Sequence, residues 1–157
     1  MKRMIATSLL TLMVFGMSFA ASGGIEFRLV VDKKDIASIP SDKLTYIPRG
    51  EKKQQEIFLS KEAFLRNADI KEIKIVSPKN SLNGHSAFDI IFNRAGQKKL
   101  KDVTSLNIRK KMAILANNEI LMTPYILMPI KSGHVYVQAD ALDTDKKVKD
   151  FVKELGF

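Results

Sequence analysis

The chain has 157 residues, 45% of them hydrophobic and 27% charged, with a formal charge of +9 and no cysteine. That length favours one domain, the apolar content is too high for a disordered chain, and the absence of disulfides leaves stability to a packed core. A basic balance points to polyanions or acidic surfaces as partners.

Residues 1–20 narrow that choice. Lys2 and Arg3 precede an uncharged run from Met4 to Phe19, with Ser18 and Ala20 as small residues before a cut at Ala20–Ala21. This order reads as a secretory signal peptide, and the run is short for a membrane span. Losing Lys2 and Arg3 takes the charge from +9 to +7, so the mature chain stays basic. No cysteine follows the signal, which excludes lipid attachment through a processed cysteine. An exported basic protein meets lipid headgroups, cell-surface polyanions or polypeptides rather than nucleic acid. No later run reaches spanning length, so no transmembrane helix is expected in the mature chain.

After a leader at 21–24, Ile25–Val31 alternates Ile25, Phe27, Leu29 and Val31 with Glu26, Arg28 and Val30, and predicts a strand buried on one face. Residues 32–53, with Pro40, Pro48, Gly50 and many charges, read as a loop or insertion. Glu56–Ser60 is a short strand, and Ser60 is placed to cap a helical turn through KEAFLRNA, with Glu62 near its start. Ile70 begins another strand that stops near Pro78, and KNSLNGHS is a turn-rich link. AFDIIFN is a strand; Asn93 then caps a helix whose apolar positions are Leu100, Val103, Leu106 and Ile108. MAILANNEILMTP is a hairpin around Asn117–Asn118. YILMPI and HVYVQA flank a second turn at Lys131–Gly133. A closing helix places Val148, Phe151, Val152 and Leu155 at i, i+3, i+4 and i+7, sets four lysines outward and stops at Gly156. The order predicts an α+β fold, a mainly antiparallel sheet with helices packed on one face, as in a ferredoxin-like two-layer sandwich.

Little in this sequence carries chemistry. His85 and His134 are far apart and lack neighbouring ligands, so no metal or cofactor is expected. There is no nucleophile elbow and no cysteine nucleophile, and Gly96 lacks the second glycine of a phosphate loop. Asp89 is either an inward carboxylate or, as is commoner, on the solvent side of its strand. Asp143 and Asp145 suit a helix start without catalysis. An enzyme is not expected. Lys98, Lys99, Lys101, Arg109, Lys110 and Lys111 form either the wet side of a helix or a surface for anionic lipid or a cell-surface polyanion.

From Ala87 onward the residues carry a resemblance. FDIIFNRAGQKKLKDVTSLNIRKKMAILANNEILMTPYI resembles the first periplasmic (head) domain of SecD, a subunit of the bacterial Sec protein-export machinery. The shared signature is Phe92, Asn93, Gly96, Thr104, Asn107, Ile108, Ala113, Ile114 and Pro124, and IEFRLV resembles the strand entering that domain. The pattern assigns Gly96 to close helix–sheet approach, Asn93 to a cap, Asn107 to a left-handed helix end and Thr104 to packing under the hairpin. Two positions depart from it: Ser132–Gly133 stands where the family often has two glycines, and Ala139 where glycine is frequent. SecD itself carries six membrane spans, where its proton-driven work resides, and this sequence shows none beyond the leader. The resemblance implies a free-standing, non-enzymatic periplasmic domain over residues 25–157 that binds unfolded or exported polypeptide and works with Sec translocon components. Contact residues are expected in the hairpin region, at Leu121, Met122, Tyr125, Ile126, Leu127 and Met128, where adaptable methionines suit varied partners; core packing is the competing role for all six.

Overall fold

Ile25 and Phe27 are fully buried while Glu26 and Arg28 occupy the opposite side of the same strand, and this alternation organises the larger of two sheets. The computed structural model describes residues 24–47, 57–77, 86–138, 142 and 144–157. The signal region, His85, Asp143 and Ala139 lie outside them.

Strand β1 (Ile25–Val31) has two neighbours on one edge. Its C-terminal half pairs with β3 (Ile57–Ser60) and its N-terminal half with the two-residue β4 (Leu65–Arg66). Its other edge pairs along most of its length with β7 (Met112–Ala116), which turns into β8 (Glu119–Met122). With β2 (Leu44–Ile47) outside β3, the order is β2-β3-β1-β7-β8. A second sheet has the order β5-β6-β9, from Ile70–Val76, Ala87–Phe92 and His134–Val137. Every one of these pairings is antiparallel. Helices α1 (Arg94–Leu106) and α2 (Asp145–Glu154) complete an α+β architecture, the class the sequence indicates.

The two sheets share one core. Phe27 of β1 meets Phe92 of β6 edge to face at 5.4 Å, and Phe64 meets Phe27 at 6.1 Å. Leu100 of α1 and Val148, Val152 and Leu155 of α2 are buried in the same cluster, and Phe151 lies 5.8 Å from Phe88. The second face of the larger sheet buries Ile57, Leu59, Ala113 and Leu115. On that face, Arg28 and Glu26 stand opposite Ala113 and Leu115 and pair with each other at 2.6 Å.

Four expectations are corrected. Over 32–47, the described part of the expected 32–53 loop, the chain makes 3-10 turns at Lys33–Ser38 and Ser41–Lys43, then the strand Leu44–Ile47. The strand exists because β3 completes its backbone bonds, a long-range gain that the surrounding prolines and charges conceal. KEAFLRNA does not form a helix. Ser60 Oγ accepts the Leu29 N–H at 3.1 Å and donates to the Glu62 carbonyl, while Asn67 Oδ1 accepts from Ile25 N at 2.7 Å and Asp69 from Arg66 N at 3.0 Å. These short polar side chains satisfy backbone donors in a non-helical path. YILMPI forms no hairpin with β9, which pairs with β6; the stretch crosses between sheets, with one bridge from Tyr125 to Lys111, and Pro124 and Pro129 supply no ladder donor. The buried row of α1 is Gly96, Leu100 and Thr104, spaced by four, which leaves Leu106 turned to solvent.

Candidate functional site

The signature residues build a joint between α1 and its surroundings. Asn93 Oδ1 accepts the Gly96 N–H at 2.9 Å, capping the helix, while its Nδ2 donates to the Ala68 carbonyl at 2.9 Å and its backbone N–H to the Asp69 carbonyl. A Cβ on Gly96 would run into that same Asp69 carbonyl oxygen, so the glycine lets the helix start rest against the turn at Asn67–Asp69. Lys99 adds an ion pair to Asp69 at 2.7 Å. Thr104, fully buried, donates to the Leu100 carbonyl at 2.7 Å and accepts the Ile130 N–H at 2.9 Å. It therefore holds the crossing segment before β9, not the hairpin. Asn107 does not adopt the left-handed conformation expected of it (φ −125°); its Nδ2 bonds back to the Val103 carbonyl. Arg109, two residues on, takes that conformation at φ 70°, and Lys110 N closes the turn on the Asn107 carbonyl. Pro124 contributes its carbonyl to the Met112 N–H.

Beyond this joint, two separately predicted residue sets converge. Arg109 N donates to the Ile126 carbonyl at 2.7 Å, Ile126 N to the Lys110 carbonyl at 2.8 Å, and Lys111 is bridged to Tyr125. The basic segment 109–111 thus runs antiparallel beside the apolar segment 125–128. Of the expected contact residues, Ile126 is only 2% exposed and belongs to the core, while Leu121 and Met122 are half-buried against it. Tyr125, Leu127 and Met128 are 59%, 77% and 69% exposed. Leu106 and Ile108, just before the backbone-paired Arg109, are 83% and 44% exposed. Sequence reasoning missed these two because their spacing placed them on the buried stripe of α1. Leu106, Ile108, Tyr125, Leu127 and Met128 are thus large, exposed apolar side chains on segments that are close in the chain or paired through the backbone.

The cations divide as well. Lys98 is paired with Asp102 at 2.6 Å and Lys99 with Asp69, whereas Lys101 is exposed on α1. Arg109, Lys110 and Lys111 border the apolar surface, and Lys111 Nζ lies 4.8 Å from the Tyr125 ring centroid, a cation–π contact.

The family model for the SecDF, P1 head subdomain, matches residues 42–152, more than half of the sequence. The chain belongs to this SecDF head family. No curated protein sequence matches it. Two solved structures share the fold. One, described as SecDF in a super-membrane-facing form, superposes with a TM-score of 0.63 at 19% identity, covering 85% of this chain and 18% of that one. The other, described as a membrane component SecDF that enhances protein export, gives 0.62 at 20% identity, covering 85% of this chain and 61% of that one. This SecDF head chain therefore spans less than two-thirds of either structure.

Elsewhere on the head domain the polar groups serve the fold. Asp89 is on the solvent side of β6 and meets His134 Nδ1 of β9 at 3.0 Å. Asp145 accepts the Ser86 hydroxyl at 2.7 Å, and Thr144 caps α2 through Lys147 N. Among the described residues no group of three or more His, Cys, Asp or Glu is disposed to hold a metal. A recess of about 400 Å³ lies between Gly24, Glu26, Arg66, Asn67 and the Asn117–Asn118 turn, and one of about 600 Å³ between Asp42, Lys43, Ser60, Lys61, Glu62 and Arg66.

Proposed function

We propose that this chain is an exported, non-enzymatic SecDF-type head domain that binds unfolded or extended polypeptide in the periplasm and assists protein export. The observation that carries the reading is the exposed apolar ridge of Leu106, Ile108, Tyr125, Leu127 and Met128 on a domain of this family. An extended segment that has not yet folded presents apolar side chains to water, and burying them against the ridge is favourable without any fixed sequence. A solved relative is described as enhancing protein export, and the Lys2–Arg3 leader with its apolar run fits delivery across the same membrane. No helix among the described residues is long and apolar enough to cross a membrane. The chain's part is then binding, with any coupling to a proton gradient supplied by a membrane partner of the translocon.

The test is the aggregation of a chemically unfolded client, followed by light scattering, with the purified protein present at micromolar concentration. The wild-type chain slows aggregation, and Leu127→Ser with Met128→Ser removes the effect. Equal scattering with and without wild-type protein, together with no photo-crosslink from position 127 to an exported chain, overturns the reading.

A further inference from the structure

The charge around the ridge is one-sided. From residue 103 to 138 the chain carries a single carboxylate, Glu119, against Arg109, Lys110, Lys111 and Lys131. Glu119 opens β8 beside the hairpin tip, so the length of that strand separates it from the segment at Tyr125. The acids nearest α1's cations are engaged, Asp102 by Lys98 and Asp69 by Lys99. Arg109, Lys110 and Lys111 make no ion pair with a carboxylate among the described residues, although they border an exposed apolar surface.

Building on the polypeptide reading, we infer that the ridge selects apolar segments flanked by Asp or Glu. An apolar side chain of the client is buried against Leu106, Ile108, Leu127 and Met128. Carboxylates within a residue or two of it then face the 109–111 cations, which the backbone bonds to Ile126 hold beside the ridge. Lys111 is already placed over the Tyr125 ring, so less ordering is required when an acid arrives. A segment flanked by Lys or Arg meets like charge at the same positions and is disfavoured. A lysine-led leader segment is a poor client by this rule.

The experiment uses short fluorescent peptides that share one Leu-Phe-Leu-Val centre and are flanked by Glu, Ser or Lys, titrated with the purified protein. The Glu-flanked peptide binds about tenfold more tightly than the Lys-flanked one, the size expected of a few exposed pairs acting together. The difference shrinks in 0.5 M salt and reverses in favour of the Lys-flanked peptide in Lys110→Glu/Lys111→Glu, whose circular dichroism stays that of the wild type. Equal binding of all three peptides, abolished by Leu127→Ser/Met128→Ser, overturns the charge selection and leaves polypeptide binding standing. Binding of none of the peptides, with co-sedimentation on phosphatidylcholine vesicles only when they contain phosphatidylglycerol, overturns both and assigns the surface to an anionic bilayer.

Discussion

Gly96 sits against Asp69 so closely that a Cβ at position 96 would meet the Asp69 carbonyl oxygen and lie 2.9 Å from its Cβ. Asp69 is fixed in turn, since its carbonyl receives Asn93 N and its carboxylate holds Lys99 and Arg66 N. Alanine is better than glycine inside a helix by about 1 kcal/mol. Here the steric conflict with backbone reverses the sign. Gly96→Ala is expected to lower stability by about 1–3 kcal/mol, the range for overpacking, read from the urea midpoint. A raised midpoint would show that the helix start can move away from the turn.

Thr104 accepts the Ile130 N–H and so ties α1 to the crossing segment, beside Gln97, whose Nε2 donates to the Lys131 carbonyl. Thr104→Val keeps the side-chain shape but leaves the Ile130 N–H without its acceptor, at a cost of about 1–3 kcal/mol. Thr104→Ser retains the bond and is expected to be milder. Hydrogen exchange at the Ile130 amide reports the difference, and unchanged exchange in Thr104→Val would mean that the hydroxyl bond is not what orders the crossing segment.

Arg109 holds a left-handed backbone at φ 70°, at the third position of a turn closed from Lys110 to Asn107. Glycine is the residue such a turn favours. Relief of about 1–2 kcal/mol in the folded state exceeds the added entropy of an unfolded glycine, about 0.5–1 kcal/mol, so Arg109→Gly is expected to stabilise by about 0.5–1 kcal/mol. The same change removes a cation from the ridge and weakens the Glu-flanked peptide. Stability and binding should therefore move in opposite directions; a loss of both would place the Arg109 side chain in the fold rather than in recognition.

Ile126, Leu127 and Met128 are consecutive, yet the first is in the core and the other two face solvent. Ile126→Ala is expected to cost about 2–4 kcal/mol, while Leu127→Ser and Met128→Ser each stay within about 0.5 kcal/mol of wild type. Thermal unfolding of the three variants checks this. A large loss in either serine variant would mean that the ridge is packing surface.

What was legible in the sequence is what local chemistry dictates. The alternation of Ile25–Val31, the Asn117–Asn118 turn with φ of 50° and 66°, and the i, i+3, i+4, i+7 face of α2 each announce themselves within a dozen residues. The stretch 61–69 misled because its helix-forming residues compete with Asn67 and Asp69, whose partners lie elsewhere in the fold. The division into two sheets rests on distant partners, β6 choosing β9 rather than the nearer YILMPI segment. The ridge was half visible. Tyr125, Leu127, Met128 and the 109–111 cations are among the candidates the sequence offers, but Leu106 and Ile108 are not, and nothing in the order of residues reveals that Lys111 lies beside Tyr125 or that Leu106 leaves the helix's buried row.

Leu127 and Met128 lie on a span anchored a residue or two away on either side, Ile126 by Lys110 and Ile130 by Thr104. The span is fastened like a strap between two rivets, one on the turn after α1 and one on the helix itself. A client that tugs on Leu127 therefore loads α1 directly, and through Asn93, Lys99 and Asp69 that load reaches the turn at the far end of the helix. Contact at the ridge would be felt as force along the helix, not as the bending of a free loop.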